Sequence, residues 1–353
     1  MLPYYLLLAV VMLLLPGYSK KPKKSWLPII LVFVIMTAFV GLRDKSVGTD
    51  TGNYVRGFVE LTEEQIEDKL EWDNDPGFWL LNKWGNSYGD NYAILLCLIA
   101  AFAYVGPLLV MRKLSRNVRF SLFVYMALCY STFCINAARQ GIAVGFFMLS
   151  FQYIIKRNFL KYVFWVLVAA AFHKTVIVML PLYFLFTMRY NFKTVTLMVI
   201  ASILISINLT ELLSLSTIVE ERYILYSEES KGGGEMLTLF YVLMALYFIN
   251  RRKYIDRADR VAYDSFLLMF MSGSIIYVLV ISMGLYIEIS RFASYLQVAA
   301  VFMWPMILSS RRRRVSGGYK FLIVLGHLGF MAIYLERMAN LVPYLLNTTL
   351  FGK

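Results

Sequence analysis

Cysteine, histidine and acid are scarce in this chain: its 353 residues include 3 Cys, 2 His and 22 Asp and Glu, against 35 Lys and Arg. Cys97, Cys129 and Cys134 fall in apolar stretches, and nothing pairs them as a metal or redox motif. They read as buried core thiols. No repeat of fixed period is visible, which argues against a transporter built from two obvious halves. No stretch is left over for a soluble domain. The first apolar run, Leu2 to Pro16, has no basic residue before it, four lysines after it and no small-residue cleavage site. It reads as a retained first helix and not as a signal peptide.

What the chain has in excess is apolar surface. It is 59% hydrophobic, with a mean hydropathy of +0.63. A soluble protein of this length is closer to half apolar. Runs long enough to cross about 30 Å of hydrocarbon recur along the whole length. The net charge of +13 would suit a nucleic-acid binder, but it sits in short loops between apolar runs, where membrane insertion places it. No nucleic-acid role is expected.

Those loops set a topology. They are Lys20 to Lys24, Arg112 to Arg119, Lys156 to Lys161, Arg189 to Lys193, Arg251 to Arg260 and Arg311 to Lys320, and they hold 23 of the 35 Lys and Arg. With all six on the cytoplasmic side, neighbouring loops must be separated by an even number of crossings. Residues 120–155 then divide into two helices around Arg139, and residues 162–188 into two short ones around His173 and Lys174. The expectation is an all-α, polytopic membrane helical bundle of about twelve crossings: 2–18, 27–42, 91–111, 120–136, 138–155, 162–172, 174–188, 194–210, 236–250, 264–284, 290–309 and 321–336. Residues 1–353 read as a single integral membrane domain with two large outer loops, 43–90 and 211–235. The tail from Arg337 to Lys353 is too short and too interrupted by proline to count as a span.

On this map a set of cations stands on the face where positive charge should be scarce. Arg139, in Asn136-Ala137-Ala138-Arg139-Gln140-Gly141, sits at the turn between two apolar helices. It is either a snorkelling arginine or a phosphate or glycan contact, because its guanidinium can hold two oxygens at once. His173, in Ala171-Phe172-His173-Lys174, is either a structural hydrogen-bond partner or, as a neutral imidazole, a group that orients or deprotonates a sugar hydroxyl. His327 lies inside the last apolar run and reads as structural. Glu288 and Arg291 stand three apart, as a plain ion pair or one that aims the arginine at a ligand. Asp73 and Asp75 have the D-x-D spacing of metal-using glycosyltransferases, a spacing common by chance, and no metal role is assigned to them.

Several stretches follow one another along the chain: Arg43 through Tyr54 with Phe58, Asp75 to Leu81, Ala138-Arg139-Gln140-Gly141-Ile142-Ala143, Ala169 to Thr175, Arg222-Tyr223, and Ser290-Arg291 to Tyr295. Their order resembles the EpsG-like branch of the Wzy polysaccharide polymerases. Thr175 stands where many relatives have serine, which keeps the hydroxyl.

The resemblance implies a lipid-dependent glycosyltransferase fold of the GT-C-like type, in the bacterial cytoplasmic (inner) membrane, with an active site on the periplasmic, extracytoplasmic side. It implies joining of oligosaccharide repeat units carried on undecaprenyl pyrophosphate, with donor and acceptor both lipid-linked. The product class is O-antigen, capsule or exopolysaccharide. Taken with the residues, it implies a catalytic set of Arg139, His173, Arg291 and Asp50. Substrate contacts are expected at Arg43, Tyr54, Gln140, Lys174, Arg222, Tyr223, Glu288 and Tyr295. No metal and no cofactor are expected. Membrane lipids are expected neighbours, and a chain-length regulator is a further partner the sequence does not show. Two other readings use the same cations: a transporter or flippase for the lipid-linked glycan, and a non-catalytic subunit of a glycan assembly complex. A flippase needs a polar path between the two faces, whereas the titratable residues cluster at outer helix ends.

Overall fold

The computed structural model describes residues 1–15, 26–60, 62–70, 75–214, 234–283, 290–312 and 314–348. Among them regular structure is helical, with one isolated β-bridge between Arg43 and Leu346. Each of the twelve apolar ranges read from the sequence holds a helix. Four helical stretches are long and apolar enough to cross a membrane: Tyr92–Leu114, Arg257–Ser282, Arg291–Ser309 and Gly317–Arg337. Shorter apolar helices of 10–17 residues include Leu2–Leu14, Leu27–Gly41, Val118–Ala127 and Phe159–Ala170.

The chain folds as two compact units interleaved in sequence, so no single cut separates them. The first comprises Met1–Leu149, Leu167–Lys174 and Ser316–Lys353; the second comprises Ser150–Val166 and Thr175–Val315.

In the first unit α1 (Leu2–Leu14) and α2 (Leu27–Gly41) precede a polar turn, followed by α3 (Thr51–Val59), α4 (Glu63–Glu67) and α5 (Pro76–Asn86). These three short helices lie within 43–90, the expected outer loop. The local chemistry explains them. Thr62 and Gln65 form a capping box that starts α4, and Pro76 occupies the first turn of α5, where its missing N–H costs nothing. Next comes α6 (Tyr92–Leu114), started by the Asn91 side chain, which accepts from the Ala93 N–H at 2.9 Å. It packs on α2, α3 and α5. After it come α7 (Val118–Ala127), α8 (Phe133–Asn136) and α9 (Ala138–Ile155). Gly106 of α6 and Gly145 of α9 allow these helices to touch along their backbones: a Cβ on Gly145 would lie 2.5 Å from the Ala103 carbonyl oxygen. The helix α10 (Phe159–Ala170) leads into a turn at 171–173 and a 3-10 turn, Lys174–Val178.

The C-terminal tail, set aside in the sequence as too short to span, is stitched into this unit. The Asp44 N–H donates to the Leu345 carbonyl at 2.8 Å, and the Asn347 N–H donates to the Leu42 carbonyl at 2.9 Å. The Tyr4 hydroxyl donates to the Leu341 carbonyl at 2.8 Å, and the Tyr344 ring stacks on Phe39 at 4.3 Å.

The second unit holds α11 (Met179–Phe186), α12 (Phe192–Ser214), α13 (Gly234–Arg251), α14 (Arg260–Ser282), α15 (Ser294–Gln297) and α16 (Ala300–Ser309). The first unit closes with α17 (Gly317–Arg337). The centre of the second unit is aromatic: Phe266 stacks on Phe302 at 5.0 Å, and Phe151 lies 5.8 Å and 6.0 Å from the same two rings. Buried tyrosines satisfy their hydroxyls on backbone carbonyls, Tyr162 to Met179 at 2.6 Å and Tyr263 to Phe248 at 2.7 Å. In the basic loop Arg251 to Arg260, Arg252 grips Asp264 with two N–H groups at 2.7 and 2.8 Å and lies over the Tyr190 ring. The three thiols are free. Cys129 and Cys134 are buried as expected, whereas Cys97 is only half-buried.

Candidate functional site

Three segments of the first unit converge on one carboxylate. The first is the start of α9. Its Ala138 N–H donates to the Tyr54 hydroxyl of α3 at 3.1 Å, which fixes the turn in which Arg139 stands. The Asn136 side chain, just before it, accepts from the Thr49 N–H at 3.1 Å and donates to the Ala339 carbonyl at 2.7 Å. That side chain ties the turn after α2 and the C-terminal tail to the foot of α9.

The second segment is the start of α5. Asp75 has φ +59°, in the left-handed region, and is followed by Pro76, which ordinarily pushes its predecessor to extended backbone. Such a residue costs about 1–3 kcal/mol and persists only where its surroundings over-determine it. Here they do. The Gly77 N–H donates to the Ala171 carbonyl at 2.7 Å, and a Cβ at Gly77 would lie 2.8 Å from that oxygen. Only glycine allows α5 to dock so closely on the turn after α10.

That turn is the third segment. The Lys174 N–H donates to Asp75 Oδ1 at 3.1 Å, and His173 Nδ1 lies 3.2 Å from Oδ2. Arg139 Nη1 approaches the same Oδ2 at 3.4 Å, longer than an ordinary hydrogen bond, and its guanidinium lies 5.1 Å from the Phe78 ring and 5.4 Å from the Trp79 ring. The carboxylate is closed off and its partners are not: side-chain exposure is 8% for Asp75, 23% for Arg139 and 26% for His173.

Burial pushes the Asp75 carboxyl up. The bond to His173, the charged neighbours and the Lys174 N–H outweigh burial, and the group sits below the ordinary carboxylate value. One buried acid is thus met by the Arg139 guanidinium, the His173 imidazole and the Lys174 backbone N–H. A guanidinium beside an imidazole can hold phosphate oxygens while a hydroxyl is oriented or deprotonated.

Of the residues expected from the sequence, the structure brings Arg139, His173 and Lys174 together. Gln140 follows on α9 and is buried. Tyr54 anchors the start of α9. Asp50 precedes α3, its carbonyl accepting from the Asn53 and Tyr54 N–H groups. Arg43, expected to touch substrate, is 1% exposed. Its Nη2 donates to Thr51 Oγ1 at 3.0 Å and its Nη1 donates to the Val40 carbonyl. It is held inside the fold and braces the turn before α3. Arg291 and Tyr295 belong to the second unit, where Tyr295 is fully buried with its ring edge-on to Phe292 at 5.9 Å. Arg222, Tyr223, Glu288 and Asp73 lie outside the described residues. Asp75 is the residue that sequence reasoning missed, weighed only as half of a D-x-D. Its place in the stretch Asp75 to Leu81 was the available signal.

Among the described residues no group of three or more His, Cys, Asp and Glu is arranged to hold a metal. An open groove of about 480 Å³, lined by Glu235, Thr238, Leu239, Val242, Ile281 and Ser282, lies in the second unit; it is not part of the Asp75 cluster.

The model of the EpsG family matches residues 26–346. No curated protein and no solved structure matches the chain.

Proposed function

This chain belongs to the EpsG family, that of Wzy-like polysaccharide polymerases, and from that membership we propose that it joins lipid-linked oligosaccharide repeat units into a longer glycan. The donor is a glycan on undecaprenyl pyrophosphate and the acceptor is the terminal sugar of a second lipid-linked unit. The bond from the anomeric carbon to the pyrophosphate oxygen breaks, and a bond from that carbon to an acceptor hydroxyl oxygen forms. The hydroxyl proton passes to His173, and the charge building on the leaving pyrophosphate is met by Arg139. Lys174 adds positive charge beside them.

The observation that carries this reading is the convergence of Arg139 and His173, 34 residues apart in sequence, on the single carboxylate of Asp75. Uniform helix packing does not call for a partly exposed cation and a partly exposed imidazole on one buried acid. Arg139 stands at the opposite end of α9 from the basic loop Lys156 to Lys161. The positive-inside bias then supports a site on the extracytoplasmic side of a bacterial inner membrane, in a fold of the lipid-dependent glycosyltransferase type. A fixed arginine performs the charge stabilisation that a divalent ion performs elsewhere, so the reaction proceeds without a metal.

The test is a reconstituted one. Purified protein in liposomes is given one synthetic lipid-linked repeat unit, with and without EDTA. The expected product is a ladder of longer glycans in both samples. Movement of the intact unit between leaflets without lengthening would instead support a flippase. A ladder abolished by EDTA and restored by a divalent ion would end the metal-free account.

A further inference from the structure

We propose that Asp75 is the positioning residue of this site: it takes the hydrogen on His173 Nδ1 and so leaves Nε2 as the proton acceptor for the sugar hydroxyl. This inference rests on the glycosyl-transfer reading above and adds to it a residue and a tautomer.

The geometry carries it in three steps. First, the carboxylate is pinned. Oδ1 accepts from the Lys174 N–H at 3.1 Å, which orients the group and presents Oδ2 to His173 at 3.2 Å. Second, a carboxylate only accepts, and a neutral imidazole has one N–H. The partner of Asp75 must therefore be the protonated nitrogen, and the lone pair falls on Nε2. Third, the backbone is built for this contact. A non-glycine residue at φ +59° ahead of a proline is an outlier, and the Gly77 contact with Ala171 at 2.7 Å clamps it in place. The carboxylate is shielded at 8% exposure while the ring is 26% exposed, so the acid is kept from water and the base is kept reachable.

Other charged groups do not take over this task. Arg139 approaches Oδ2 from α9, but as a donor it competes for the oxygen and cannot hold a ring N–H. Lys174 meets Asp75 through its backbone N–H.

The chain has only two histidines, which makes the tautomer directly observable. Full-length protein labelled with 15N-histidine is reconstituted in liposomes, and His327→Gln identifies the His327 signals. The proposal expects His173 to carry its hydrogen on Nδ1 alone at pH 7.5. In Asp75→Asn the side-chain amide donates to Nδ1, and the hydrogen moves to Nε2. The turnover rate should then fall by about 10⁴-fold, the scale for a catalytic histidine forced into the wrong tautomer. The KM for the lipid-linked donor should change little. Asp75→Glu should restore the Nδ1–H form and part of the rate, and it serves as the second variant if Asp75→Asn does not fold.

A wild-type spectrum with the hydrogen on Nε2, or on both nitrogens, overturns the proposal. So does an Asp75→Asn spectrum unchanged from wild type. The two readings fail separately. A tautomer shift in a protein that makes no polymer refutes the polymerase and leaves the positioning intact. A polymerase whose tautomer ignores Asp75 does the reverse.

Discussion

Two carboxylates on this chain are each paired with an arginine, and the two pairs are built differently. Asp264, in the second unit, receives two N–H groups of Arg252 at 2.7 and 2.8 Å, one on each oxygen. The pair is bidentate, and each partner completes the other. Asp75, in the first unit, takes three donors from three residues at 3.1–3.4 Å, and two of those donors are side chains that remain about a quarter exposed. One pair ties the basic loop Arg251 to Arg260 to α14. The other holds a cation and an imidazole, each about a quarter exposed, around a buried acid. On the proposed function, ion-pair geometry, more than the presence of charge, distinguishes the two arginines.

The sharpest way to break this contrast is at His173. Replacement by Ala removes the proton acceptor and should slow glycan lengthening by about 10²–10⁴-fold, measured as the initial rate in liposomes. Donor binding should survive. His173→Gln keeps a hydrogen-bonding group without useful basicity, and substantial activity in that variant would reduce the role of His173 to orientation.

Arg139→Lys comes next. The charge is kept and the two-pronged geometry is lost, so the rate should drop by about 100- to 1,000-fold. A fully active Lys variant would show that a point charge is enough.

A smaller effect is expected with acid. The Asp75 carboxyl is held below its ordinary value of about 3.9, so it stabilises the folded state above that pH and loses the contribution as pH falls through its folded value. Thermal unfolding followed from pH 6 down to pH 3 should show a steeper loss in wild type than in Asp75→Asn. Parallel curves would mean that the carboxylate contributes nothing to folding.

The smallest effect belongs to the other pair. Arg252→Lys should cost about 1 kcal/mol or less in stability and leave the lengthening rate within about 2-fold of wild type. A large rate loss there would erase the distinction between the two arginines.

The helical framework was legible because charge and apolar length constrain each other. Even crossings between basic loops placed a break at Arg139 and another at His173, and α9 begins at Ala138 while α10 ends at Ala170. The helices within 43–90 were not legible, because they are short and set by a capping box and by the docking of Gly77 on Ala171, a contact 94 residues away in sequence. The attachment of the tail was not legible for a similar reason: its pairing with Leu42 and Asp44 spans nearly the whole chain. Within the site, Arg139 and His173 stood out by position. Asp75 did not, because a single acid in a polar stretch shows no sign of its partners 64 and 98 residues on. The sequence does not show whether an arginine at a helix end turns outward or inward, and Arg43 turns inward.

The central claim is that the Asp75 cluster performs glycosyl transfer. It is tested most directly by single-turnover transfer in one liposome preparation, comparing Arg139→Ala with Arg252→Ala against wild type. The account predicts a loss of at least about 100-fold for the first and near-wild-type transfer for the second. Equal rates in the two variants would contradict it.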